Sequence, residues 1–144
     1  MRKFYLYLSA ISLLLLASCG AGNSSEGSSG SRDKDLGVGP ISNVILGEID
    51  ENLAEQGKET FKKYCSACHK INKKYIGPAM LGVTKKRKPE WIMNMILNPD
   101  GMLKDDEEAK KLLAEYTAPM ANQNLSEEQA RGILEYFRLK DKKE

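Results

Sequence analysis

Two thiols and an imidazole stand together at Cys65-Ser66-Ala67-Cys68-His69. Cys-x-x-Cys-His is the attachment pattern of a c-type haem. The spacing has a chemical reason. Thiols three positions apart on a helical turn reach both vinyl groups of one porphyrin, while the adjacent histidine swings under the iron. In a chain of 144 residues with three Cys and one His, chance produces the pattern on the order of four times in ten thousand. A structural zinc site fails on counting, because it needs four ligands and the chain has no other His and no further Cys except Cys19. A thioredoxin-like redox pair needs strands and βαβ units, and β-branched alternation is absent throughout. The expected cofactor is one haem c, covalent through Cys65 and Cys68, with His69 on the iron.

The opposite axial position is filled by another side chain or left open. With His69 the sole histidine, the candidates are Met80, Met93, Met95, Met102 and Met120. Met80 lies eleven residues after His69, too soon for the chain to pass round to the other haem face. Met93 and Met95 fall on a helix and read as core rather than as a Met-x-Met copper site. Met102 sits in a turn after that helix and competes for the role. Met120 follows Pro119 in a loop just before the final helix. A thioether opposite imidazole raises the reduction potential and fills both axial positions. Such a protein passes electrons and is not an enzyme; no general base or nucleophile stands in a recognisable constellation.

Helices must position these groups. Leu53, Gly57, Phe61 and Tyr64 recur at helical spacing and form one face. A Lys-rich loop follows, turning at Gly77-Pro78. Pro89 suits the first position of a second helix whose inward residues are Trp91, Ile92, Met95 and Ile96. Asn98-Pro99-Asp100-Gly101 ends it. Ala109, Leu112, Leu113 and Tyr116 mark a third helix, opened by the acidic run from Asp105 to Glu108, which complements the helix dipole. Ser126 and Gln129 form a capping box for the last helix, with Leu125 as staple and Ile133, Leu134, Tyr136 and Phe137 on its apolar face. The expectation is an all-α domain of four helices with long loops.

The N-terminus reads as an address. Arg2 and Lys3 precede a nearly continuous apolar run from Phe4 to Ala17, too short to span a membrane but suited to a secretory signal. Leu16-Ala17-Ser18-Cys19 resembles the bacterial lipobox, which implies lipidation at Cys19 and cleavage before it. The division expected is a lipoprotein signal peptide over 1–18, a lipidated Cys19 with a flexible Gly/Ser-rich tether over 19–48, and a folded domain over 49–144. Losing Arg2 and Lys3 would leave 20 Lys+Arg against 20 Asp+Glu. A balance that close argues against a nucleic-acid binder. The chain is expected to be exported and periplasm-facing, on a lipid anchor. Gly20 after the cysteine does not resemble an inner-membrane retention signal, which favours the outer membrane.

Over residues 50–140 the chain resembles a monohaem class I cytochrome c. The resemblance implies that Gly57 and Phe61 pack against a pair on the last helix, here Ile133 and Tyr136. It implies that the Pro78 carbonyl accepts a hydrogen bond from the His69 ring and that Met120 is the sixth ligand. Trp91 either hydrogen-bonds a haem propionate, as a tryptophan does in some relatives, or is a core residue. Lys70, Lys73, Lys74 and the run Lys85–Lys88 either ring the exposed haem edge and steer acidic partners or form a solvated basic loop. Asn122 and Asn124 would hold the Met120 loop by turn hydrogen bonds. The function implied is a tethered electron carrier between a quinol-oxidising complex and a terminal reductase or oxidase. The stretches 90–99 and 118–124 resemble small cytochromes associated with nitrous-oxide reductase. The alternative is a haem-based gas or redox sensor in which the Met ligand is displaceable.

Overall fold

Asp50 starts the first helix. Its carboxylate accepts from the Leu53 amide at 2.9 Å, and α1 runs over Glu51–Tyr64 with Glu51 in its first turn and Lys62 and Lys63 in its last. Ala54, Gly57 and Phe61 are its buried stripe. The computed structural model describes residues 35–143, which belong to one compact unit. The remaining helices are α2 (Val83–Lys86), α3 (Pro89–Leu97), α4 (Pro99–Asp105), α5 (Glu107–Tyr116) and α6 (Glu127–Lys142). Among the described residues there is no strand, and no helix is long and apolar enough to cross a membrane.

The four expected helices are α1, α3, α5 and α6; α3 and α6 open where the sequence nominates a start, and α5 opens within the nominated acidic run. Pro89 occupies the first turn of α3. Asp106 caps α5, accepting from the Ala109 amide at 2.8 Å. Both halves of the α6 capping box form, with Gln129 N to Ser126 Oγ at 3.2 Å and Ser126 N to Gln129 Oε1 at 2.9 Å. Two short helices were not expected. Asn98-Pro99-Asp100-Gly101 is not a simple stop, because Pro99 fits the first turn of α4 as well as it breaks α3. Met102 is therefore a helical residue, fully buried, rather than a turn residue. The other unexpected element, α2, takes its cap from a distant residue. The Asp141 carboxylate on α6 accepts from Gly82 N at 2.6 Å and Thr84 N at 3.0 Å.

α1 and α6 cross at glycine. A methyl group on Gly57 would overlap the Gly132 carbonyl, so the backbones touch directly there. Beside the crossing, the Phe61 ring packs on Tyr136 at 5.8 Å and on Phe137 at 5.6 Å between centroids. A methyl on Gly132 would meet the Gly57 backbone and the Leu53 carbonyl at 3.3 Å, which is tight but relievable. Gly57→Ala is expected to cost about 1–3 kcal/mol and Gly132→Ala clearly less. Thermal melts of the two haem-loaded variants check the order; equal melting would refute direct backbone contact.

The division at 48/49 needs correction. Residues 35–48 are not tether but an extended strap packed on the helices, with Ile41 buried and Val38 and Val44 against the core. The Asn94 amide binds the carbonyls of Leu36 and Ile41 and the Ile41 N–H, at 2.8–2.9 Å. Glycine read as a linker signal is here a signal of close approach. A methyl on Gly39 would overlap the Asn94 side chain, and one on Gly37 would meet the Met102 sulfur at 2.6 Å. The strap also explains why α3 is buried nearly all round, including Met93, Glu90 and Asn94. The signal peptide over 1–18, Cys19 and tether residues 19–34 lie outside the described residues.

Candidate haem site

The segment after α1 folds tightly around His69. The Cys65 amide bonds to the Phe61 carbonyl at 2.9 Å and the His69 amide to the Cys65 carbonyl at 2.9 Å, so the two thiols and the ring leave one turn. The Gly77 amide then returns to the Cys68 carbonyl at 2.9 Å. That return brings Pro78 under the ring, and the His69 Nδ1–H donates to the Pro78 carbonyl at 3.1 Å. With Nδ1 engaged, Nε2 is the nitrogen left for a metal. Burial lowers the pKa of His69, partly opposed by the Pro78 bond, so the ring is held neutral, as a ligand must be. Burial likewise pushes the Cys65 thiol up to about 11, with the neighbouring Cys68 adding to the effect. Cys68 is exposed.

Gly77 is a site residue that the sequence reading took only as a turn. A methyl there would meet the His69 ring at 2.5 Å, so the ring lies flat against the backbone of residue 77. The sequence signal was present, in a glycine directly before the proline that orients the ring.

Cys65, Cys68, His69, Pro78, Trp91 and Met120 all line one cavity of about 560 Å³. That volume falls within the roughly 300–1,000 Å³ usual for cofactor sites. The wall is mostly apolar, with Phe61, Ile92, Ile96, Leu112, Ile133 and Phe137 drawn from α1, α3, α5 and α6. Met80 and Met95 also reach it; Met93 and Met102 do not. The Met102 sulfur instead accepts from the Val38 N–H of the strap at 2.9 Å. A residue buried and engaged in this way is no competitor for the axial position.

Of the two readings of Trp91, its surroundings match the core one. Its indole N–H donates to Asp106 Oδ1 at 3.1 Å, inside the core. Asp106 is itself buried and caps α5, so the indole satisfies a carboxylate that would otherwise be costly to bury. Trp91 thus offers the cavity its ring, with the Arg87 guanidinium 4.8 Å above the ring centroid. Arg87 lines the cavity and pairs with Glu108 at 3.0 Å.

The expected basic ring is only partly at the cavity. Lys74, Lys86 and Arg87 line it, whereas Lys85 lines a separate cleft beside Asp141. Lys74 pairs with Glu115 at 3.2 Å and lies 4.1 Å over the Tyr116 ring. Lys70 donates to the Ser66 carbonyl at 2.6 Å. In the loop bearing Met120, the Asn124 N–H bonds to Asn122 Oδ1 at 2.8 Å, with Asn124 in the left-handed region at φ 53°, as the paired asparagines led one to expect.

The chemistry of these donors fits a haem on every count that can be checked. Two thiols stand beside an oriented imidazole, a thioether shares the cavity, and the apolar wall suits a flat porphyrin. Among the described residues no group of three or more His, Cys, Asp or Glu could hold a metal ion alone. A helical fold closed round such a cavity defines a haem protein of the electron-carrying kind. The chain belongs to the cytochrome c family, whose family model matches residues 54–139. It is similar to a solved cytochrome c from Rhodothermus marinus, at 46% identity and a TM-score of 0.73, covering 77% of this chain and 95% of that one. An engineered form of that cytochrome is similar at 46% identity and a TM-score of 0.71, covering 76% and 94%. The engineered form bound to a carbene intermediate is similar at 47% identity and a TM-score of 0.68, with the same coverage. No curated protein matches the chain.

The protein is accordingly a haem electron carrier and not an enzyme, with one covalent haem c at Cys65 and Cys68. The haem supplies the one-electron chemistry. The chain's own residues orient the imidazole, exclude water with the apolar wall, and present the edge at which partners dock.

Proposed function

We propose that the protein is a membrane-tethered single-haem carrier, passing one electron at a time from a quinol-oxidising complex to a terminal reductase or oxidase. Met120 closes the axial position opposite His69. The observation that carries this reading is that Met120 lines the same cavity as His69 while Met102 is buried elsewhere. With both axial positions filled, small molecules have no open site on the iron and only electrons exchange. The likeness of residues 90–99 and 118–124 to cytochromes associated with nitrous-oxide reductase makes that enzyme one acceptor of the right class. Cys19 carries the lipid, and the folded part works on the periplasmic side of the membrane, the outer membrane being favoured by Gly20.

The test is optical. Ferric wild type is expected to show the weak far-red band of methionine sulfur on iron, and Met120→Ala to lose it and turn high-spin. Met102→Ala should keep the band while melting earlier. A second reading, a haem-based gas or redox sensor with displaceable Met120, draws on one feature. The loop's own bonds, Gln123 Nε2 to the Ala121 carbonyl and Asn124 N to Asn122, are internal and do not tie it to the rest of the fold. An open or high-spin iron in wild type would replace the carrier with the sensor.

A further inference from the structure

The strap over 35–48 precedes the segment that defines the family, 54–139, and lines no part of the haem cavity. It is nonetheless held at one backbone polar group after another. Asn94 makes three bonds to it, and Asn98 Nδ2 donates to the Val38 carbonyl at 3.0 Å. Glu90 accepts from Val44 N at 2.8 Å, and Met102 from Val38 N. On α6, Arg131 and Arg138 donate to the carbonyls of Ile45 and Gly47 at 3.3 and 2.7 Å. Helix side chains thus form a groove that binds extended backbone. The two arginine bonds lie at the exposed end of the strap, where Ile45 is 80% exposed and contributes little burial. What these bonds do accomplish is to fix the point at which the chain leaves the domain.

We propose that the strap is a clip that sets the working length of the membrane tether; this rests on the lipid-anchor reading above. With the strap docked, sixteen residues, Cys19–Lys34, separate the domain from the anchor point; with it released, thirty do, residues 19–48. At full extension the two span about 55 Å and about 100 Å. The start of the strap is tied to the N-cap residue of α3. Asp35 lies 3.6 Å from Lys88, next in sequence to Arg87 on the cavity wall. The clip therefore limits how far the domain can stand from the bilayer, and the partner that fits is a membrane-bound complex whose electron-entry site lies within that height.

The experiment uses the lipidated, haem-loaded protein on vesicles carrying a headgroup fluorophore that haem quenches. Wild type is compared with a chain whose residues 36–47 are replaced by Gly/Ser of equal length, and with one lengthened before Asp35 by the strap's own length. Quenching is expected to fall in both variants and to a similar extent. In wild type on the vesicle, the amides of Val38, Ile41 and Val44 should exchange with solvent as slowly as those of α3. The clip is overturned if the replaced strap quenches like wild type while the lengthened chain does not, or if those amides exchange freely. The exchange measurement uses the unaltered chain, so it decides even if the replacement misfolds. Flotation with the vesicles is scored separately: a chain that does not float sinks the anchor reading and the clip with it, and one that floats without these effects sinks the clip alone.

Discussion

With Cys65→Ala and Cys68→Ala, the chain will lose its covalent haem and with it a cooperative fold. The cavity of about 560 Å³ is walled by apolar side chains from α1, α3, α5 and α6, so without the porphyrin their contacts across it are missing. At roughly 24 cal/mol per Å³ of residual cavity, the loss is on the order of 13 kcal/mol. Domains of this size are stable by about 5–15 kcal/mol in all. A cavity that large collapses rather than persisting, which dismantles the side built on α3, α4 and α5. The α1–α6 pair, joined directly at Gly57 and through Phe61, is the part with the means to remain helical. Circular dichroism should show reduced helix and no sharp melt, where the haem-loaded protein melts cooperatively. A cooperative melt near that of the holoprotein would show that the apolar wall closes on itself and that the haem is not structural.

The second large effect is expected at Glu135, a carboxylate with no exposed surface at all. It accepts from Arg131 Nε at 2.9 Å and from Arg138 Nη1 at 2.7–2.8 Å. Glu135→Ala leaves two guanidiniums facing each other with no counter-ion. Breaking a buried pair in this way costs roughly 3–5 kcal/mol. The lower end applies, because the Arg131 side chain is 31% exposed and water screens part of the repulsion. For a domain of this length, about 3 kcal/mol corresponds to a fall in Tm of roughly 12–24 °C. The same arginines hold the strap, so strap amides should lose exchange protection in step with the melt. Glu135→Leu combined with Arg138→Leu should recover much of the loss, since a matched apolar pair replaces an unpaired charge. A Tm change of only a few degrees in the single variant would show that the arginines find solvent without strain.

What could be seen in the sequence follows from how far apart the interacting residues lie. The capping box at Ser126 and Gln129 spans three residues, and the haem pattern at 65–69 spans five; both have the geometry expected of them. The Gly57–Phe61 face was likewise visible, because helical periodicity is local. The features not seen are long-range contacts. Val38 meets Met102 across 64 positions, and Asp141 caps α2 across 57 to 59. Composition alone assigned Gly37 and Gly39 to a linker, although both are needed for the chain to lie close against α3 and α4. The propionate reading of Trp91 came from the family resemblance, and nothing in the sequence shows that Asp106, fifteen residues on, supplies the indole with a buried acceptor.

The sequence by itself determined the cofactor and its mode of attachment, because two thiols and an imidazole at that spacing form a covalent unit within a single turn. It determined the all-α class and the starts of three of the four long helices, because caps and apolar stripes act over a few residues. The tertiary structure alone decided which methionines share the cavity with His69, that the Trp91 indole N–H donates to Asp106, and that residues 35–48 belong to the domain. Each of those outcomes turns on which buried polar group or sulfur finds its partner first. Only the folded chain brings those partners together.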